Sequence, residues 1–321
     1  MTVTTGVVAP DVVRQSDCLI IANPAAAGVD AEIVAEIGAR LGALARSSRI
    51  EWTSAAGHAA DLVRENADAG LVVAVGGDGT VTELVQGLVG GARPSQIVCP
   101  LPVGSGNSTA RNLFGDLDWR QILDLLSTGS YDLLGLDLMR LVEPGITSVL
   151  GTSTGFLAQV LVDARTVPAD IKGIDRYFAA AVDILQAMPS CPTRVTVDGV
   201  VLNDGPTSSV AVGGGRFRAR SFQFLPGSVL DDGLLDVSTI DALDSVAVAE
   251  LLPLMPTGTH VGRPEVRYAR GRTVVIERTD GLPLVAEYDG SVWDGAGSRL
   301  TVEIVPNALL TLTAAHDMKD I

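Results

Sequence analysis

Lysine is almost absent from this 321-residue chain: of 23 Lys and Arg only Lys172 and Lys319 are lysines, and neither follows a glycine-rich loop. A Walker A lysine is therefore missing, and P-loop NTPases are excluded. Positive charge is scarce altogether, because 38 Asp and Glu leave a formal net charge of −15. Nucleic-acid binding driven by phosphate neutralisation is not expected. Cys18, Cys99 and Cys191 are too few and too far apart for a cysteine zinc site, and their odd number argues against a disulfide framework. They read as small buried hydrophobes. His58, His260 and His316 show no metal-ligand spacing, and triad chemistry has little to draw on. Aromatics are only 4% of the chain, so the 47% hydrophobic content is mostly aliphatic. No apolar run reaches the roughly 18 residues of a membrane span, and MTVTTGVVAPDVVRQSD lacks a signal-peptide pattern. A cytoplasmic protein is expected, of about two domains at roughly 150 residues each.

What is present alternates. CLIIA (18–22), IEWT (50–53), LVVAV (71–75) and IVCPLPV (97–103) are short apolar strands, and stretches with helical spacing lie over 30–46, 57–69, from Val81 to about Val89, 108–114 and 118–127. This specifies an α/β layer with a mostly parallel sheet, which binds ligands at the carboxyl ends of its strands. After about residue 130 the pattern changes. RVTVDGVVLN (194–203), SSVAVGGG (208–215), RTVVIERTD (272–280), LVAEYDGSV (284–292) and RLTVEIV (299–305) read as antiparallel strands with tight turns, and 174–188 as a helix. The expected domains are 1–135, α/β and nucleotide-binding, and 136–305, β-rich. Pro306 is expected to break the preceding strand, leaving 306–321 as a candidate to return to the first domain.

Two loops carry chemistry. GGDGT (76–80) joins a buried strand to a helix expected to begin near Thr80, where free N–H groups and the positive dipole end suit phosphates. Gly76, Gly77 and Gly79 permit positive φ and close backbone approach. Asp78 would repel phosphates unless it holds Mg²⁺ or accepts a proton. LPVGSGNSTARN (101–112) also follows a strand and opens a helix, with Gly104, Ser105, Gly106 and Asn107 at the turn; Thr109 replaces the third glycine of a dinucleotide fingerprint, which disfavours a Rossmann site.

Together these loops resemble the diacylglycerol kinase catalytic-domain family, which includes bacterial lipid kinases and sphingosine kinases. Asn23-Pro24 with Gly28, Thr53 in EWTSAAGHA, and LPGSVLDDGLLDV (225–237) extend the similarity over about 19–313. The resemblance implies an N-terminal α/β domain of the 6-phosphofructokinase and NAD kinase kind, a C-terminal β-sandwich domain carrying a lipid site, and transfer of the γ-phosphate of ATP to a hydroxyl of diacylglycerol or a related lipid. It places Asn23, Thr53, Gly76, Gly77, Asp78, Gly79, Thr80, Gly104, Ser105 and Asn107 at the nucleotide. It also makes Asp232, with the carbonyls of Val229 and Leu234, a Mg²⁺ site; a hairpin turn explains LDDG as well.

In AEYDGSVWDG the family usually has Asp-Gly-Glu. Asp289 and Gly290 match, but Ser291 stands where the glutamate is expected, and serine at its normal pKa is no general base. Asp78 and Asp289 are the catalytic candidates, with Asp294 as a displaced acid. Asp78→Asn is expected to abolish transfer and leave the fold intact. Segment 153–185 resembles the lipid-binding stretch, with Phe156, Leu157, Val160, Leu161, Tyr177 and Phe178 on an apolar face that core packing would equally produce. Gln159 stands at the amine-recognising position of sphingosine kinases, which favours a neutral glycerolipid. Sphingoid-base kinase, NAD kinase-like soluble-acceptor kinase and a catalytically impaired nucleotide- or lipid-binding protein are the alternatives. In GGGRFRARSF a strand would put Arg216, Arg218 and Arg220 on one face, for peripheral contact with a membrane or lipid headgroup. A homodimer is left open.

Overall fold

The computed structural model describes residues 11–89, 96–168, 170–171, 174–187, 190–219, 222–293, 295 and 297–315. The chain divides into two compact units, Met1–Leu136 with Asn307–Ile321, and Asp137–Pro306.

The first unit opens with a helical turn, α1 (Val12–Gln15), then alternates β1 (Asp17–Ala22), α2 (Ala31–Leu44), β2 (Ser47–Trp52), α3 (His58–Glu65), β3 (Leu71–Gly76), α4 (Asp78–Leu88), β4 (Ile97–Pro102), α5 (Ser108–Phe114), α6 (Trp119–Thr128) and the start of β5 (Tyr131–Leu141). The strands are parallel in the order β4-β3-β1-β2. Every residue of β3 is buried, as expected of a parallel strand covered on both faces, whereas β2 at the edge has no fully buried residue. Asp30 caps α2 by accepting the Ile33 N–H at 2.8 Å, and the helix buries Val34, Ile37 and Leu41 on one face. Each such side chain contributes about 1.5–3 kcal/mol of burial.

One boundary matters for the site. The helix after β3 begins at Asp78 rather than near Thr80. Gly77 is its N-cap in extended backbone (φ −109°, ψ −169°), and the N–H groups of Thr80 and Val81 both return to the Gly77 carbonyl. Asp78 is thus the first helical residue.

The second unit continues β5 and adds β6 (Ile146–Ser148), β7 (Gly151–Gly155), α7 (Phe156–Ala164), α8 (Ile174–Ala187), β8 (Cys191–Val197), β9 (Val200–Gly213), β10 (Phe217–Arg218), β11 (Phe222–Gln223), β12 (Leu235–Asp241), α9 (Ser245–Leu251), β13 (Val266–Gly271), β14 (Thr273–Arg278), β15 (Ala286–Tyr288), β16 (Ser291–Trp293) and β17 (Arg299–Ala314). Its strands pair in the order β16-β15-β7-β9-β8-β14-β17, with β12 between β9 and β13. The pairings within this unit are antiparallel. Val195, Val212, Val237, Val274 and Leu300 are among its fully buried core.

RVTVDGVVLN is a hairpin: Asp198 (φ 48°) and Gly199 (φ 82°) form the turn between β8 and β9. Positive φ at both central positions is the type I′ signature that Asp-Gly favours. Asp289 (φ 46°) and Gly290 (φ 83°) repeat it between β15 and β16. Pro306 does not end the last strand, contrary to expectation. Pairing of β17 with β14 stops at Glu303 and pairing with β4 starts at Leu310, so the exposed proline lies where those two ladders require no N–H from it.

His260, in the turn Thr259–Gly262, is fully buried, and desolvation holds its pKa below the ordinary value. The unfolded chain, with an imidazole near pKa ~6.5, then takes up the proton first. Stability is therefore whole above that value and falls as pH drops from about 6.5 towards 5. Urea midpoints across this window should decline in the wild type, and His260→Leu should flatten the slope.

Candidate functional site

In the first unit the strand ends converge as turns. Asn23 follows β1, its N–H bonded to the Val75 carbonyl at 3.0 Å. Its side-chain amide donates to Thr80 Oγ1 at 3.0 Å, and Thr53 Oγ1 donates to Asn23 Oδ1 at 3.4 Å. Three residues distant in sequence thus form one polar cluster, with both threonines buried. Gly28 lies against the turn after β4: its N–H donates to the Val103 carbonyl at 3.1 Å, and a Cβ there would stand 2.5 Å from that oxygen.

None of Gly76, Gly77, Gly79 and Gly104 has a positive φ, so turn strain is not why glycine is needed. Space is the reason at two of them, Gly76 and Gly104. A Cβ on Gly104 would lie 2.4 Å from Gly77 Cα, and one on Gly76 would lie 2.4 Å from Thr80 Oγ1. The two loops cross backbone to backbone. Gly79 differs, since a Cβ there meets nothing within 4 Å. Asn107, in the left-handed region (φ 57°), closes the second loop: its Oδ1 accepts the Gly104 N–H at 2.8 Å and its Nδ2 donates to the Gly104 carbonyl at 2.6 Å. Ser105 sits half-buried in the same turn.

Asp78 joins the loops. Its Oδ2 accepts the Ser108 N–H at 2.9 Å and its Oδ1 the Thr109 N–H at 2.8 Å, so a residue of α4 caps α5. Gly106 is held close by the same carboxylate, as a Cβ there would be 2.9 Å from Asp78 Oδ2. The expectation that Asp78→Asn leaves the fold intact therefore changes. An amide would turn N–H donors towards one of these two N–H groups.

In the second unit Asp289 is buried and saturated. It accepts Ser148 Oγ at 2.7 Å, Val149 N at 2.8 Å, Leu150 N at 2.8 Å and Gly151 N at 3.3 Å. Its turn pins the 148–151 segment. Ser291 is exposed, and Asp294 lies outside the described residues. Glu287 is a buried acid that sequence reading missed. Arg218 Nη1 lies 2.6 Å from its Oε1, Ser153 Oγ donates to the same oxygen at 2.5 Å, and Gly290 N donates to Oε2 at 3.2 Å. Burial pushes the Glu287 carboxyl up, against the pull of Arg218. The guanidinium fits because Gly151 and Gly213 lack side chains; their Cβ atoms would lie 2.3 and 3.1 Å from Arg218 Nη2.

Arg216, Arg218 and Arg220 do not form the common face expected. Arg216 precedes β10, is exposed and donates to the Ser228 carbonyl at 3.1 Å, Arg218 is buried on Glu287, and Arg220 lies outside the described residues. Phe156, Leu157, Val160 and Leu161 are all half-buried along α7, and Tyr177 of α8 is 39% exposed. The side chain of Phe178 lies outside the described residues. Gln159 donates to Asp163 Oδ1 at 2.7 Å within its own helix.

The residues proposed for a structural Mg²⁺ do not fit one. Asp232 Oδ1 accepts the Leu234 N–H at 3.0 Å and Oδ2 pairs with the Arg270 guanidinium. Both carboxylate oxygens are committed, and the guanidinium would repel a divalent ion coordinated there. Val229 is 40% exposed. No cluster of three or more His, Cys, Asp or Glu suited to a metal occurs among the described residues.

Residues 17–135 match the diacylglycerol kinase catalytic domain, and residues 151–313 match the YegS C-terminal NAD kinase beta sandwich-like domain. The chain belongs to this lipid kinase family. It is 29% identical over 264 residues to a "Probable lipid kinase YegS-like" of Pseudomonas fluorescens, covering 81% of this chain and 83% of that one. It is also 29% identical over 252 residues to a diacylglycerol kinase of Mycobacterium tuberculosis, covering 76% and 77%. A diacylglycerol kinase from Bacillus anthracis has the same fold (TM-score 0.70, 19% identity, 92% of this chain and 96% of that one). An NAD kinase from Archaeoglobus fulgidus in complex with ATP shares it more loosely (TM-score 0.51, 14% identity, 94% of each). The fold class, an α/β domain followed by a β-rich domain, is that of these kinases.

Gly104→Ala should lower stability by about 1–3 kcal/mol, since its Cβ meets backbone rather than a movable side chain. Asp78→Asn should cost about 0.5–2 kcal/mol through loss of the α5 cap. Denaturant titration of both variants measures this directly; wild-type midpoints would remove the loop crossing and the cap as constraints.

Proposed function

We propose that the protein is an ATP-dependent lipid kinase that transfers the γ-phosphate to a hydroxyl of diacylglycerol or a similar neutral lipid. The observation that carries this reading is the crossing of the 76–80 and 103–109 loops at the carboxyl ends of β3 and β4. There the first turn of α4 presents backbone N–H groups and its positive dipole end. With no lysine in either loop, the phosphates of MgATP would be held by amides, by the Asn23, Thr53 and Thr80 cluster, and by Ser105. Loop positioning and charge neutralisation account for most of the catalysis in phosphoryl transfer, so Ser291 in place of an acid is compatible with activity.

Asp78 is the acceptor we assign for the hydroxyl proton, because its carboxylate stands in the first turn of α4, where the two loops meet. Asp289, with donors on both oxygens, acts as the anchor of 148–151. The half-buried apolar side chains along α7 support an acyl-chain surface, and Gln159, already bonded to Asp163, offers no charge for a sphingoid amine. No helix among the described residues is long and apolar enough to cross a membrane, so the lipid would be met at a membrane surface, with exposed Arg216 a candidate contact.

Purified protein with labelled MgATP and a panel of diacylglycerols, sphingoid bases and NAD should label diacylglycerol. Label on NAD alone, or on no acceptor, overturns the reading. Gly79→Ala, which adds a methyl into open space, should leave the unfolding midpoint unchanged while raising the KM for ATP about tenfold, as expected where backbone must approach phosphate.

A further inference from the structure

The register of two strands places one arginine against two carboxylates. Asp236 of β12 is the direct partner of Arg270 of β13 in the antiparallel ladder, with Thr239 opposite Arg267 further along. Arg270 Nε lies 3.2 Å from Asp236 Oδ1, and the other end of the guanidinium reaches Asp232 Oδ2. Tyr268, on the same face of β13, donates its hydroxyl to Asp236 Oδ1 at 2.7 Å and accepts the Gly227 N–H at 3.2 Å. The irregular segment before β12 is therefore tied to β13 by a cation and a phenol. Its own Gly233 N–H is taken by Asp137 at 2.6 Å, and its Leu234 N–H by Asp232.

We propose that Arg270 takes the place of a bound cation in this segment, sharing its one positive charge between Asp232 and Asp236 and fixing the 225–237 turn, so that the unit folds and holds its shape without a bound metal. A planar guanidinium can bond two carboxylates at once and never loses its charge, which suits it to this exchange. A divalent ion would need at least one carboxylate oxygen from Asp232 at coordination distance, where Arg270 already sits. Asp236 Oδ2 is buried without a hydrogen-bond partner, which makes it the position at which a metal would declare itself if one bound. The inference does not depend on the kinase reading, because its readout is stability without nucleotide.

The test is thermal unfolding of the full chain in EDTA and in 10 mM MgCl₂, both without ATP, together with Mn²⁺ binding followed by electron paramagnetic resonance. The wild type should unfold within about 1 °C of the same temperature in both, and should bind no Mn²⁺ that Asp232→Asn or Asp236→Asn removes. A site filled to a hundred times its Kd would instead raise the midpoint by about 5 °C. Arg270→Met should lower the midpoint in EDTA and recover part of that loss on adding Mg²⁺, the metal taking up the vacated role. Wild-type stabilisation by Mg²⁺ that Asp232→Asn abolishes overturns the proposal, as does an Arg270→Met protein as stable in EDTA as the wild type. If Arg270→Met does not fold, the wild-type Mn²⁺ measurement decides alone.

Discussion

The backbone contact between Gly77 and Gly104 is the constraint on which the candidate nucleotide site rests. Parallel neighbours β3 and β4 deliver their chain ends side by side, and a single Cβ at 104 would clash with Gly77 Cα at 2.4 Å. Asp78 then turns proximity into a fixed geometry, because a carboxylate at the start of one helix caps the next. Asn107 closes the second loop from within, accepting and donating across a single residue, Gly104. The polar groups of the two loops are thereby largely spoken for by each other, and the surface they offer a ligand is preorganised.

The acidic surplus acquires a structural meaning from this. Several aspartates serve as acceptors for backbone N–H groups that have no place in a ladder: Asp78 for 108 and 109, Asp289 for 149–151, Asp198 for Arg272 and Thr273, and Asp137 for Gly233. Asp198 and Asp289 occupy the same turn type, yet one carboxylate is exposed and the other is buried among four donors. Identical backbone chemistry thus serves an ordinary hairpin in one place and an internal clamp in another.

The α/β half was legible because its signals are local. Continuous apolar runs marked the buried parallel strands, and the loops after β3 and β4 showed in their glycines. What was not legible depends on contacts between distant residues. Nothing local distinguishes Gly79, which has room for a side chain, from Gly104, whose Cβ would run into another backbone. The pairing of Arg218 with Glu287 spans 69 positions, and alternation in GGGRFRARSF pointed to an exposed cationic face instead. Pro306 misled for a related reason: whether a proline breaks a strand depends on whether a neighbour needs its N–H, which the ladder decides.

The lysine-free loops have a further consequence, in reagent chemistry. Acyl-phosphate nucleotide probes report on ATP sites by acylating a nearby amine, and residues 23–28, 76–80 and 103–109 contain none. An acyl-phosphate nucleotide held by these loops would find no amine within them to acylate, and a negative labelling profile would not speak against binding. Of the hydroxyls of Thr53, Thr80 and Ser105, that of half-buried Ser105 is the one open to a reagent, since Thr53 and Thr80 are buried.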